Sequence, residues 1–316
     1  QYYVDPDWIA ADGTSGYPGE LRATDTVTFD GTSLQTATVD VTTAYSIASL
    51  EITSAHTSGN IQFLSTVAGV TFTVTGDFTN NGTVTFQILK ASSGNHTVYL
   101  NGNVTISNPS SVLATMSSIG NRDILYIGDN ASDIISVGTG SDYGRILTNQ
   151  AGQTTFYGTV TIATNGSVSL TAPNTTQTPV VTIASGASVT NNGSFHLFDN
   201  AAAAGTYNFK IVGPGTLSGN AILFQYSAAT TAASGNIAKL LIENLNMTAP
   251  LTIPSVLNQW STGDPANTLV KVALNDSNST FGNITIAANA TFDATNSGAG
   301  NYNFSVSGNW DNDSSG

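Results

Sequence analysis

Apolar and hydroxyl-bearing residues alternate along most of the chain. "TVTFD" (26–30), "TFTVTGDF" (71–78), "GTVTI" (158–162), "VVTI" (180–183) and "NITI" (283–286) set Thr between Val, Ile or Phe at every second position. Side chains alternate faces along a strand, so the pattern predicts short strands with one dry face and one hydroxyl-rich face. Clusters of Gly, Asn and Ser interrupt these runs roughly every ten residues, the spacing expected of turns. More than twenty strands result. No stretch has the spacing of an amphipathic helix; "SVLATMSSIG" (111–120) and "AAAAG" (201–205) hold a turn or two at most.

Three stretches align: "TVTIATNGSVSL" (159–170), "VVTIASGASVTN" (180–191) and "NITIAANATFDA" (283–294). Their shared Thr-Ile-Ala begins at 161, 182 and 285, a step of 21 and then one of 103, close to five times 21. A short strand pattern repeating at about 20 residues predicts the coil of a solenoid. One coil cannot bury its few apolar residues alone; stacking coils about 4.8 Å apart aligns them and satisfies the backbone between coils. The expected fold is therefore all-β, a parallel β-solenoid (β-helix) with about 20-residue coils, Ile162 lying beside Ile183. A tandem β-sandwich is the alternative, since strands at this spacing suit it as well. Residues 1–24, rich in Tyr and Pro, are expected as an N-terminal arm or cap, and 25–316 as the solenoid. An irregular loop or weak boundary is expected at 249–268, where three prolines and Trp260 fall.

The opening "YYVDPD…DGTSGYPG", followed by "TVTFDGT" and by units such as "GTVTI" and "TNNGTVTF", resembles secreted right-handed parallel β-helix proteins. That class spans polysaccharide lyases, autotransporter passengers and surface adhesins. The resemblance implies a secreted, cell-surface β-helix; it fixes no activity, because the fold hosts enzymes, adhesins and fibres alike.

Charge narrows the partners. The net charge is −13, and charged residues make up 9% of the 316. Phosphate backbones and anionic membrane surfaces both call for clustered cations, so neither is an expected partner, and with no run of eighteen apolar residues no membrane insertion is expected. Cysteine is absent, so no disulfide supports the fold. A start at Gln1 is what signal-peptide removal leaves, consistent with secretion. Fourteen Asn-x-Ser/Thr sequons occur, among them Asn81, Asn95, Asn103, Asn165, Asn192, Asn246, Asn283, Asn289 and Asn303. These are the glycosylation candidates.

Catalytic apparatus is hard to find. Cleaving a polysaccharide calls for a base of tuned pKa and a cation to steady the substrate. The seven cations (Arg22, Lys90, Arg122, Arg145, Lys210, Lys239, Lys271) are scattered along the chain and form no local Asp/Lys/Arg motif. His56, His96 and His196 have no metal-ligand spacing; His196, between apolar neighbours in "SFHLF", should face outward. No catalytic or cofactor-binding residue is assigned, and no enzyme is expected. Calcium is the one cofactor candidate, at Asp311 and Asp313 in "DNDSSG", an oxygen-rich turn that hard cations favour. Tyr2, Tyr3, Trp8 and Tyr17 are the aromatics that could meet surface glycans.

The remaining signal concerns assembly. "FTVTGDFTNNGTVTF" (72–86) reads strand, Gly-Asp, strand, turn, strand; "NFSVSGNWDNDSSG" (303–316) repeats its first part. "TDTVTFDGT" (24–32) supplies the matching strand. The expectation is a structural extracellular protein that polymerises head to tail, an N-terminal strand or arm docking on the last coil of the next subunit. Val27, Phe29, Phe304, Val306 and Trp310 would form the interface. A monomeric adhesin or glycan-binding passenger is the alternative, and a polysaccharide-degrading enzyme the third reading.

Overall fold

In the computed structural model the regular elements of the described residues are all β-strands, stacked in parallel. The structure describes residues 23–313 apart from 32–35, 41–42, 65–66, 68, 89–95, 108–110, 117–123, 139–143, 150, 173, 200–204, 227–235, 256–257, 260–268, 297 and 299. The alternating runs fold as the pattern dictates. Thr26–Phe29 exposes its threonines and buries Val27 and Phe29; Thr71–Val74 and Val180–Ile183 bury every second residue likewise.

Thr26–Phe29 opens a first sheet, Ala37–Asp40 a second and Tyr45–Ile47 a third; Ser49–Ile52 then returns to pair with Thr26–Phe29. Repetition of this circuit builds sheets of 11, 9 and 10 strands around one core, a parallel β-solenoid. The first sheet shows how the core is made. Val27, Leu50, Phe78, Val104, Ile135, Val160, Val189, Leu217, Met247, Phe281 and Val306 stand in register, one per strand. All but Val306 are at most 4% exposed. Burying each side chain of this kind is worth about 1.5–3 kcal/mol relative to leaving it in water.

The solenoid is as expected; its coil length is not. In the first sheet the step from strand to strand runs from 23 residues (Thr26 to Ser49) to 34 (Asn246 to Thr280). The three Thr-Ile-Ala copies are not successive coils. Ile162 lies in the first sheet beside Asn191, Ile183 in the third beside Phe156, and Ile286 in a fourth beside Ile253. The motif marks the end of an inward-facing strand, whose local requirements are the same on every face.

The "TNNG" turns are corners too. In Thr79-Asn80-Asn81-Gly82 and Thr190-Asn191-Asn192-Gly193 the first Asn points inward, wholly buried. Asn80 Nδ2 donates to the Val84 carbonyl at 3.4 Å, and Asn191 Nδ2 to the Asn220 carbonyl at 3.1 Å. Each amide thus serves a backbone carbonyl of the turning chain. Glycine follows because coils meet closely: a Cβ on Gly82 would lie 2.8 Å from the His56 carbonyl oxygen, and one on Gly193 2.1 Å from that of Ala163.

Gly-Asx pairs mark a different corner. Asp77 Oδ1 accepts from the Asn103 amide at 3.0 Å, and Asn103 Oδ1 from the Ile134 amide at 2.9 Å, tying each corner to the next coil. Asn283 Oδ1 does the same for the Asn309 amide at 2.8 Å. Residues 72–86 and 304–312 share this chemistry but not a position. The first crosses from the third sheet through the first to the second; the second crosses from the first sheet to the fourth.

That fourth sheet begins inside 249–268. Leu251–Ile253 pairs with Ile284–Ile286, which pairs with Trp310–Asn312. The second sheet reaches its final strand at Asn258–Gln259. The described residues of the stretch expected as an irregular loop or weak boundary contribute strands to two sheets, and their coil is the longest step of the first sheet. Most of the N-terminal arm, and Trp260, lie outside the described residues.

Candidate functional site

Stacking brings chemistry-bearing residues together on the outer face of the third sheet. Its strands Thr206–Val212, Ile237–Glu243, Leu269–Leu274 and Thr291–Asp293 lie side by side. Their inward residues (Tyr207, Phe209 and Ile211; Ala238, Leu240 and Ile242; Val270 and Val272) are buried, so the intervening ones face outward. Lys239 and Lys271 are direct neighbours in register, and Lys210 lies one strand earlier and one row over.

These lysines are held by acids and amides. Lys210 Nζ meets Glu243 Oε2 at 2.6 Å, and Lys271 Nζ meets Asp293 Oδ2 at 2.8 Å. Asn275 Nδ2 donates to Glu243 Oε2 at 2.8 Å, Asn296 Nδ2 to Asn275 Oδ1 at 3.0 Å, and Lys239 Nζ to Asn296 Oδ1 at 2.6 Å. Burial pulls the Glu243 carboxyl upward, but the hydrogen bonds from Lys210 and Asn275 and the Lys210 charge outweigh it and hold the group below its usual range. Burial, then the Lys271 charge, depresses Lys239, with Asp293 opposing.

This corrects the sequence reading that the cations are scattered. Three of the four lysines share one face, with two carboxylates beside them. Arg145 stands apart on the second sheet, where its Nε donates to Ser169 Oγ at 3.2 Å and burial lowers its pKa. Arg22, Lys90 and Arg122 lie outside the described residues.

Nearer the other end of the third sheet, Tyr99 and Tyr126 stand in register on the outside, rings stacked at 4.7 Å and 13°. Thr155 takes the next place in that row, and Tyr157, just past its strand, lies 6.0 Å from Tyr126 with its ring tilted by 40°. Burial, then Tyr99 and Tyr157, push the Tyr126 phenol upward. Tyr2, Tyr3, Trp8 and Tyr17, the aromatics singled out from sequence, lie outside the described residues.

The proposed interface residues fall at two ends. Val27 and Phe29 sit on the first strand of the first sheet, pointing into the core at 4% and 9% exposure. At the other end Phe304 and Val306 are half-buried and Trp310 is 45% exposed. Trp310 stacks on Phe304 at 5.7 Å and meets Phe292 edge-on at 5.6 Å, while Phe304 lies 6.1 Å from Phe281. The last described members of the core column thus lie beside an aromatic cluster that is half-buried to exposed.

His56 and His96 are buried at 2% and 0% exposure, and burial lowers both pKa values, with Asp30 opposing at His56. His196 lies between inward Phe195 and Leu197, on the outer face as expected, yet is 4% exposed and so covered rather than presented to solvent. Asp311 and Asp313 are exposed; among the described residues no three His, Asp or Glu gather into a group that could hold a metal. Of the sequon residues, Asn103, Asn192, Asn246, Asn283, Asn289 and Asn303 are exposed, Asn81 and Asn165 half-buried, and Asn95 lies outside the described residues. Asn103 and Asn283 already accept coil-to-coil bonds through Oδ1.

Compared with known protein families, curated proteins and solved structures, the chain matches none.

Proposed function

We propose that this chain is a non-enzymatic structural element of an extracellular filament, and that it associates head to tail. The observation that carries this reading is that aromatic cluster. Phe304, Val306 and Trp310 continue the buried column outward, and among the described residues no further strand pairs with Ser305–Val306 or Trp310–Asn312. An aromatic cluster beside the edge strands Ser305–Val306 and Trp310–Asn312 suits the stacking of another coil. Thr26–Phe29 of a second copy suits that role, because its alternation is that of the strands already stacked. A contact between two different surfaces repeats from copy to copy and builds an open fibre unless it closes into a ring.

Sedimentation velocity and electron microscopy over a range of concentrations test this. Fibres one solenoid wide are expected, shortened by Trp310→Ala while the β-sheet circular dichroism is kept. Protein that stays monomeric at every concentration sinks the proposal.

The cluster of Tyr99, Tyr126 and Tyr157 supports a second reading, a surface adhesin that binds glycans, since aromatic side chains present an apolar body with a polar tip. Retardation on glycan-containing gels that Tyr126→Ala abolishes would favour it.

A further inference from the structure

The lysine network contains a contact that ordinary ion pairing does not account for. Lys239 points its ammonium not at a carboxylate but at the carboxamide of Asn296, in the turn that follows Thr291–Asp293, two strands further along the third sheet. Nζ lies 2.6 Å from Oδ1. With a C=O bond of about 1.23 Å, Nζ can be no more than about 3.8 Å from Cγ. The carboxamide is clamped from its other side. Its Nδ2 donates to Asn275 Oδ1 at 3.0 Å, and Asn275 is fixed in turn by Glu243 at 2.8 Å. Asn296 holds a φ of 46°, in the left-handed region.

We infer that Lys239 and Asn296 are the two halves of an intramolecular isopeptide cross-link. The lone pair of the neutral amine attacks Cγ. The Nζ–Cγ bond forms, the Cγ–Nδ2 bond breaks, and Nδ2 departs as ammonia after taking up a proton that Nζ sheds. No oxidant or reductant takes part. Asp293, close enough for its charge to act on Lys239, is the neighbouring carboxylate that can relay that proton.

Several features of the cluster favour the reaction. Holding nucleophile and carbonyl together replaces a bimolecular encounter with a local step. The amine must be neutral to attack. Burial and the adjacent Lys271 charge both increase its neutral fraction, against the opposing Asp293; Lys210 on the preceding strand is engaged by Glu243. The product would tie together residues 57 apart in sequence, fastening the last described coils to those before them where the second sheet reaches its final strand. The inference does not depend on head-to-tail docking, because both groups belong to one chain.

Mass spectrometry of the purified full chain decides the matter. The expected intact mass is short of the sequence mass by one ammonia, and proteolysis should yield one branched peptide joining the segments that carry Lys239 and Asn296. Lys239→Arg and Asn296→Ala should each abolish the branched peptide and recover the one ammonia that the wild-type chain loses through it. A wild-type chain that keeps its full mass after prolonged incubation near neutral pH overturns the inference, whatever the variants do. So does a digest that lacks the branched peptide even where ammonia has been lost, because Gln1 and the Asn-Gly pairs lose ammonia by cyclising on their own.

Discussion

A pair of engineered cysteines can read the coil length directly, because the natural chain contains none. Thr161 and Thr190 are direct partners in the first sheet, 29 residues apart, each flanked by inward residues and so on the outer face. Neighbouring strands lie about 4.8 Å apart, inside the range of about 4.4–6.8 Å between Cα atoms that a disulfide bridges. Thr161→Cys with Thr190→Cys should therefore oxidise without distortion. Closing a loop of 29 residues removes entropy from the unfolded chain worth about 3.6 kcal/mol at 25 °C in the chain-entropy account. Solenoid stability is built from neighbouring coils, so the gain should appear locally. Hydrogen exchange of amides in Thr159–Ile162 and Ser188–Asn191 should slow on oxidation and recover with reductant. The control is Thr161→Cys with Thr182→Cys, the pair that a 21-residue coil would make neighbours; they lie on different sheets and should stay reduced. Thiol titration and mass spectrometry under mild oxidation give the answer. Free thiols in the 161/190 pair, or a ready disulfide in the 161/182 pair, would refute the register.

Other expectations follow from single residues. Asn191→Ala removes a hydrogen bond to the carbonyl of exposed Asn220 and should cost about 0.5–1.5 kcal/mol of local stability, measured by urea unfolding. Gly193→Ala places a Cβ 2.1 Å from the Ala163 carbonyl oxygen and should destabilise by at least the about 1–3 kcal/mol typical of overpacking, whereas Gly69→Ala meets no atom within 4 Å and suffers only the strain of its positive φ. Buried His96 and His56 have folded pKa values below that of the unfolded chain. The unfolded state then binds more protons as pH falls below about 6.5, so their contribution is complete above that pH and declines below it. The urea midpoint should drop between about pH 7.5 and pH 5.5, and His96→Gln should make the drop smaller; an unchanged drop in that variant and in His56→Gln would assign it to other groups.

Strand existence, strand direction and the composition of the corners are local properties, and the sequence by itself determined them. Period-two alternation in "TFTV" or "VVTI" commits a segment to one dry face whatever it packs against. Asn-Asn-Gly and Gly-Asx mark places where the chain must turn within hydrogen-bonding distance of the coil beneath. Coil length is different. Which strand stacks on which depends on how many residues each corner spends, and here that varies from 23 to 34 per circuit in one sheet. Thr-Ile-Ala misleads as a period marker because a strand end has the same needs on three faces. The lysine cluster was hidden for the same reason. Lys210, Lys239 and Lys271 are 29 and 32 residues apart, and Asp293 and Asn296 follow after a shorter circuit, so no fixed spacing connects them. Tyr99 and Tyr126, 27 apart, were equally invisible until the register was known. What only the tertiary structure decided is the set of neighbours across coils, because in a solenoid those contacts form between strands whose separation in sequence is set by loops rather than by the strands themselves.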